Sequence, residues 1–400
     1  YQQKKLLLVL YYNILPSKTF HVILCKLQDN ITRKISKKDS IIISNIQRML
    51  NEAGLSKGVN LAFQSLHEPV LAAIRRKNIS NDGYVELQHK FTRAGIPTFT
   101  DMIIGLPEET YDTFVSGVVK LIEGGQHNSI SFYNALILPN AEMADIDFQK
   151  KYGIVTRKIE QIANHQSIEA ATIPESEEII VATNALPRND WKRVKAFAWE
   201  SALLYHGKLL QIPFTIAHAS YGVDYRKLFE SFSEADGQKT PLLREINDFF
   251  REKARAIQED GSPNHYASPE WLNMWWPTDQ YMFIKVFKEG KLEAFYNESQ
   301  KLFRDIIPGD FSAMNDALLI NRNLLKQPNN NEDLTVKLNH NIMEVYRGVL
   351  TGESVGLEKG NNVYLIDRTS EKWDSWDDWC RQVVWWKHKR GEYLYKYRRI

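Results

Sequence analysis

Apolar runs and helical stripes alternate most regularly between Gly58 and Asn140. Gly58–Ser65 is a short apolar run ending in the polar pair Gln64–Ser65. Gly95–Pro107 is a second run closed by a turn, and Ser129–Pro139 is a third. Between them, Val70, Leu71 and Ile74 form one helical stripe behind Glu68-Pro69, with Arg75 and Arg76 set against its negative end. Tyr84, Leu87 and Phe91 form another after Asn81-Asp82, stopped at Gly95. Phe114, Val118, Leu121 and Ile122 form a third behind Glu108-Glu109, stopped by Gly124-Gly125. Strand, helix, strand at this spacing predicts βα units of a parallel sheet. Ligands of such sheets lie at the carboxyl ends of the strands.

Outside this stretch the pattern is less regular. Leu6–Leu15 is apolar but shorter than the roughly 20 residues a membrane helix needs. It resembles the apolar core of a signal peptide, yet no small-residue cleavage site follows. Thr19–Cys25 reads as a strand, and Asp39–Gly54 as a helix carrying Ile43, Ile46, Met49 and Leu50. Beyond Pro139 the expectation is a helix around Thr156–Asn164, a β-like run at Ile179–Thr183, and a long amphipathic helix from Asp190 that ends before Pro213. From there the chain reads as mostly helical. All ten tryptophans lie at or after Trp191, and so sharp a change of composition argues for a second domain. The expected division is residues 1–40 as an N-terminal remnant, 41–145 as parallel βα units, 146–190 as a connection, and 191–400 as a mostly helical domain.

Composition narrows the functional classes. Lys and Arg number 51 against 49 acids, a net charge of +2, which gives no global argument for a nucleic acid or a membrane surface. Cys25 and Cys380, far apart, suggest neither a disulfide framework nor a cysteine metal site, so a cytoplasmic setting is expected. His127 and His165 have no partners at metal-ligand spacing and read as structural, leaving no metal site. Tyr133 and Asn134 are candidates for a pocket wall, with core packing the other reading for Tyr133. Trp271, Trp275, Trp276, Trp373, Trp376 and Trp379 fit a core or a stacking surface, with packing favoured. Trp385-Trp386 followed by Lys387–Arg390 has the aromatic and basic texture of an RNA-binding tail. A solvated terminus over an aromatic strand is the simpler reading.

Four segments, Gln64-Ser65, Val70–Arg76, Asp101–Thr110 and Phe132–Asn140, taken in order, resemble the radical S-adenosylmethionine (SAM) enzymes of the cobalamin-binding type. Asp190-Trp191, Phe197–Trp199 and Gln211–Pro213 resemble the same family's tail. The resemblance covers roughly residues 45 to 400. It implies an α/β fold, a partial (β/α) TIM-type barrel with SAM across the strand ends, followed by a Trp-rich, mostly helical C-terminal domain. It also implies that Gln64, Ser65, Arg76, Asp101, Gly105, Leu106 and Pro107 bind SAM. The residue types suit that task. An Arg can grip the methionyl carboxylate with two parallel hydrogen bonds, an Asp can accept from ribose hydroxyls, and a Gln amide can do both. Gly105 would allow close backbone approach. Glu108 departs from the family's Gly-Leu-Pro-Gly-Glu-Thr turn. Taken alone, Arg76 is more often a solvated charge at a helix end, and Gln64-Ser65 could be a plain strand end. Asp101 inside an apolar strand demands a partner.

Such enzymes hold a 4Fe–4S cluster on three cysteines spaced C-x3-C-x2-C, and cluster iron needs thiolates. Two separated cysteines cannot supply them. The cluster and the cobalamin are therefore expected only in a longer parent of which this chain is the C-terminal part. In that parent the resemblance implies SAM-dependent radical chemistry, cobalamin-dependent methylation included, on an unknown substrate; the chain as given is expected to be inactive. The expected partners are SAM, the substrate, and the missing N-terminal part or a partner subunit. The alternative is a non-catalytic SAM- or substrate-binding subunit without a cluster. A different barrel enzyme ranks last, because a glycoside hydrolase needs paired acids at strand ends and only Asp101 is placed for that.

Overall fold

The computed structural model describes residues 49, 58–169, 173, 175–328, 330 and 332–400. The apolar runs at Leu6–Leu15 and Thr19–Cys25, and the Asp39–Gly54 helix apart from residue 49, lie outside the described residues. Strand β1 (Val59–Asn60) leads into helices α1 (Glu68–Ala73) and α2 (Asn81–Arg93). Strand β2 (Thr98–Ile104), helix α3 (Tyr111–Glu123) and strand β3 (Ser129–Asn134) follow. The three strands form one parallel sheet in the order β1-β2-β3. Each next strand joins the last at its side, as βα units with right-handed crossovers allow.

Local chemistry sets the ends of these helices. Ser80 caps α2 by accepting from the Gly83 amide, and Thr110 caps α3 in a reciprocal box with Thr113. Glu108 and Glu109 thus precede α3 instead of filling its first turn. Helix α1 is shorter than its stripe suggested. It stops at Ala73, and Arg75 adopts a left-handed φ of 52°, so both arginines lie beyond the helix. Ile74 leaves helical geometry (φ −94°, ψ 8°), so the helix ends after little more than one turn.

The sheet is open, and among the described residues no barrel closes. What stands is a mixed α/β protein with small sheets. After α4 (Ile146–Tyr152) come β4 (Val155–Glu160) and β5 (Ser176–Ala182), an antiparallel pair. The helix expected at Thr156–Asn164 is therefore a strand; Val155, Arg157 and Ile159 alternate with Thr156, Lys158 and Glu160, a period of two that the charges obscured. Helix α5 (Arg188–Ser201) passes through a π-turn (Ala202–His206) into α6 (Gln211–Tyr221). The helix thus ends before Pro213, as expected, and Pro213 itself sits in the first turn of α6, where its missing N–H costs nothing.

Helices α7 (Tyr225–Ser233) and α8 (Pro241–Asp260) precede a hairpin of β6 (His265–Ser268) and β7 (Met274–Pro277). Then come α9 (Thr278–Lys288), α10 (Leu292–Ile306) and α11 (Ser312–Leu324). Strands β8 (Leu334–His340), β9 (Lys359–Asp367) and β10 (Lys396–Arg399) form an antiparallel sheet with β9 in the middle. Helix α12 (Ile342–Thr351) and the short α13 (Trp376–Trp379) complete the chain. The C-terminal half is therefore helical with two small sheets. One apolar cluster runs from Val59 on β1 to Tyr395 beside β10. Trp271, Trp276, Trp373 and Trp379 are buried in it, whereas Trp386 is exposed. No helix among the described residues is long and apolar enough to cross a membrane.

Candidate functional site

The sheet brings Gln64 and Asp101 together. The Gln64 amide donates to the Asp101 carbonyl at 3.0 Å, and the Ile103 amide donates to the Gln64 carbonyl at 2.9 Å. These bonds fix Gln64 opposite Met102 with a φ of 63°, a left-handed conformation that a non-glycine side chain resists. Glu108 (φ 67°) and Arg75 (φ 52°) adopt the same region in neighbouring loops. Such residues persist only where their surroundings over-determine them, and they concentrate at functional sites. Asn60 Nδ2 donates to Asp101 Oδ2 at 2.6 Å.

Arg76 reaches the same end of β1 from behind α1. Its guanidinium donates to the Ala62 carbonyl at 3.2 Å and to Asn78 Oδ1 at 3.2 Å. Ser65 is buried. Its hydroxyl donates to Glu109 Oε2 at 2.5 Å and accepts from the His67 amide. Glu109 also accepts from the Thr113 hydroxyl, and burial raises its carboxyl above the ordinary range. This buried carboxyl ties the end of β1 to the start of α3. Gly105 adopts φ 93°, and a Cβ there would meet the Ile180 carbonyl of β5 at 3.0 Å. Its close approach is thus to another strand, and Leu106 and Pro107 are buried behind it.

A cavity of about 290 Å³ opens one strand further along. Asp101 pairs in register with Ser131, and Ile103 with Tyr133, so these side chains share one sheet face. Ser131, Tyr133 and Asn134 line the cavity. Tyr133 is 46% exposed, so it serves the cavity wall and not the core. Lys195 of α5, 1% exposed, reaches the end of β3, where its ammonium donates to Asn134 Oδ1 at 2.9 Å. Burial pulls the Lys195 pKa down to about 7 against the opposing pull of Asp279 and Glu177. Asp279, at the mouth of α9, is pushed up to about 6 by burial, although the first amides of the helix hold it. Burial also raises Glu177. Burial, then Lys195, lowers His265 to about 3, so its ring is neutral; Nε2 lies 2.7 Å from Asn164 Oδ1.

Lys195, Glu177, Asp279, Asn264 and His265 were not singled out in the sequence. One signal was available: Lys195 stands at i+4 from Trp191 and i−4 from Trp199, a lone charge on an apolar stripe. The histidines named in the sequence are hydrogen-bonded in the interior. His127 Nδ1 lies 2.7 Å from the Tyr205 hydroxyl, and His165 Nε2 lies 2.7 Å from Gln280 Oε1 with its ring stacked on Trp385. Among the described residues no three His, Cys, Asp or Glu side chains converge as a metal site. Cys380, buried at the end of α13, has no second thiol near it among these residues. The residues present do not fit an iron–sulfur cluster.

A parallel sheet with polar strand ends beside a polar cavity is the arrangement in which α/β folds hold small molecules. Comparison with known proteins gives it relatives. The chain is 30% identical over 203 residues, 50% of its length and 29% of the relative's, to the cobalamin-dependent radical SAM methyltransferase TokK of Streptomyces tokunonensis. It is 27% identical over 208 residues, 51% of its length and 30% of the relative's, to the 2-(S-pantetheinyl)-carbapenam-3-carboxylate methyltransferase of Streptantibioticus cattleyicolor. The chain is thereby related to the cobalamin-type radical SAM enzymes. It matches less than a third of the length of each curated relative. No family model matches it.

Proposed function

We propose that this chain is the SAM- and substrate-handling part of a cobalamin-type radical SAM methyltransferase. The observation that carries the reading is the pairing of Gln64, held at φ 63°, with Asp101 across the sheet, with Arg76 at the same strand end. Gln64 and Asp101 would hold the ribose and adenine side of SAM, and Arg76 its carboxylate. Ser65 and the Gly105–Pro107 turn would shape that end of the sheet through Glu109 and β5. Bound SAM supplies a sulfonium with a transferable methyl group. The cavity beside β3 would receive the substrate. The division at residues 145 and 191 would then separate the SAM-holding units from a cap over that cavity.

Isothermal titration of the chain with SAM tests this. We expect saturable binding that weakens at least about tenfold in Asp101→Ala and Arg76→Ala, the loss of one charge-assisted contact each. No binding heat from a chain with intact circular dichroism would overturn the reading. The count of two cysteines favours a second reading, a SAM- or substrate-binding subunit without a cluster. It predicts SAM binding together with failure to retain iron after anaerobic reconstitution of the full-length gene product.

A further inference from the structure

The cavity wall divides by chemistry. On the β3 side it presents donors: the Asn134 amide nitrogen and the ammonium of Lys195. On the hairpin side it presents acceptors. His265 Nε2 faces the Asn164 amide oxygen and must donate to it, which leaves Nδ1 as a bare lone pair. Five wall atoms have no hydrogen-bond partner among the described residues: Asn134 Nδ2, Asn264 Oδ1, His265 Nδ1 and both ring nitrogens of His206. Asn134 is 7% exposed, and a buried polar atom left unpaired costs about 1–3 kcal/mol. Trp199, Phe283 and Tyr393 supply apolar surface between the two sides.

We propose that this cavity binds an uncharged, amide-bearing small molecule, its carbonyl toward Asn134 and Lys195 and its N–H toward Asn264 and His265. The assignment rests on the reading of the chain as a substrate-handling part and names the class of that substrate. Charge selects the neutral class. The wall carries charge of both signs, Lys195 against Glu177 and Asp279, and these already act on one another, so a charged ligand of either sign meets repulsion as well as attraction. A zwitterion would have to shed the hydration of two charges, which costs several kcal/mol per ion. An amide is a dipole with one acceptor and one donor, the complement of what stands unpaired, and its desolvation is cheaper.

The test is a saturation-transfer NMR titration of the full chain with N-acetylglycine N-methylamide, and in parallel with acetate, methylammonium and glycine. The expected result is saturable binding of the amide alone. Asn134→Asp, which keeps the oxygen facing Lys195 and removes the donor, should weaken it at least about tenfold, and so should Asn264→Ala. Melting curves of both variants check that the fold persists, and a variant that fails to fold is replaced by His265→Phe. Preferential binding of glycine or acetate overturns the proposal, as does amide binding unchanged by the variants, or no amide binding to the folded chain. Titrating SAM into the same samples separates the two readings. SAM binding without amide binding removes this inference alone; amide binding without SAM binding removes the proposed function and leaves the cavity's ligand class standing.

Discussion

Replacing Lys195 with methionine is expected to stabilise the chain at neutral pH. The folded ammonium has its pKa depressed to about 7 by burial, against a value of 10.5 in the unfolded chain. The unfolded state therefore binds the extra proton between those values, and stability rises with pH across that window as this penalty is relieved. At about 1.4 kcal/mol per unit, the buried charge costs roughly 4 kcal/mol near pH 7 and roughly 2 kcal/mol near pH 9. Methionine removes that cost and fills nearly the same volume, but it strands Asn134 Oδ1, a loss of about 1–3 kcal/mol. The net expectation is a gain of about 1–3 kcal/mol near pH 7 that shrinks by about 2 kcal/mol near pH 9. Urea unfolding followed by tryptophan fluorescence at both pH values measures it. Comparing the variant with the parent cancels Lys208, which burial depresses in the same way. A variant destabilised equally at both pH values would refute the argument, because Lys195 would then be a well-paired charge.

Other outcomes follow from the same structure. Gly105→Ala forces an L side chain into φ 93° against the Ile180 carbonyl, and should cost about 1–3 kcal/mol by chemical denaturation. Glu109→Ala leaves the buried Ser65 hydroxyl without its acceptor and should destabilise by about 1–3 kcal/mol, whereas Glu109→Gln should recover most of the loss. Thr110→Ala removes one side of the box at the start of α3, a loss of about 1 kcal/mol in the same assay. The Cys380 thiol, pushed up to about 12 by burial, should stay unmodified by iodoacetamide at pH 8 until urea unfolds the chain, as peptide mass spectrometry would show.

The parallel sheet was legible because each of its strands is a compact apolar run and each crossover a helical stripe with its own stop. The limits of β2 and α2 follow from Gly95 and Asn81 almost to the residue. The strand β4 was not legible, because its alternate positions carry Thr, Lys and Glu, and a run of charge hides a period of two. Gln64 and Arg76 were singled out through family resemblance, because they carry no local pattern that a plain strand end or helix end lacks, whereas Asp101 stood out as a carboxylate inside an apolar strand. The cavity was largely illegible. Asn134 and Lys195 stand far apart in sequence, and Asn264 and His265 arrive from a hairpin later still. Their meeting is a product of tertiary packing; the sequence offered Tyr133 and Asn134 as wall candidates, and Lys195 on the stripe of Trp191 and Trp199 was the one further signal.

The turn before β3 has a mechanical consequence. The His127 carbonyl accepts from both the Lys208 ammonium and the Gln211 amide, and Gln211 in turn accepts from the Tyr346 hydroxyl. Asn321 extends this chain by donating to the Lys208 and Leu209 carbonyls. Pulling the parallel sheet from the helices would strand all of these buried groups at once. The two halves are therefore expected to melt in one transition, with amide exchange of β3 and α6 slowed to the same global rate. Ligand entry to the cavity would then depend on the β6–β7 hairpin and the loops around it, while the sheet and the helices stay locked together.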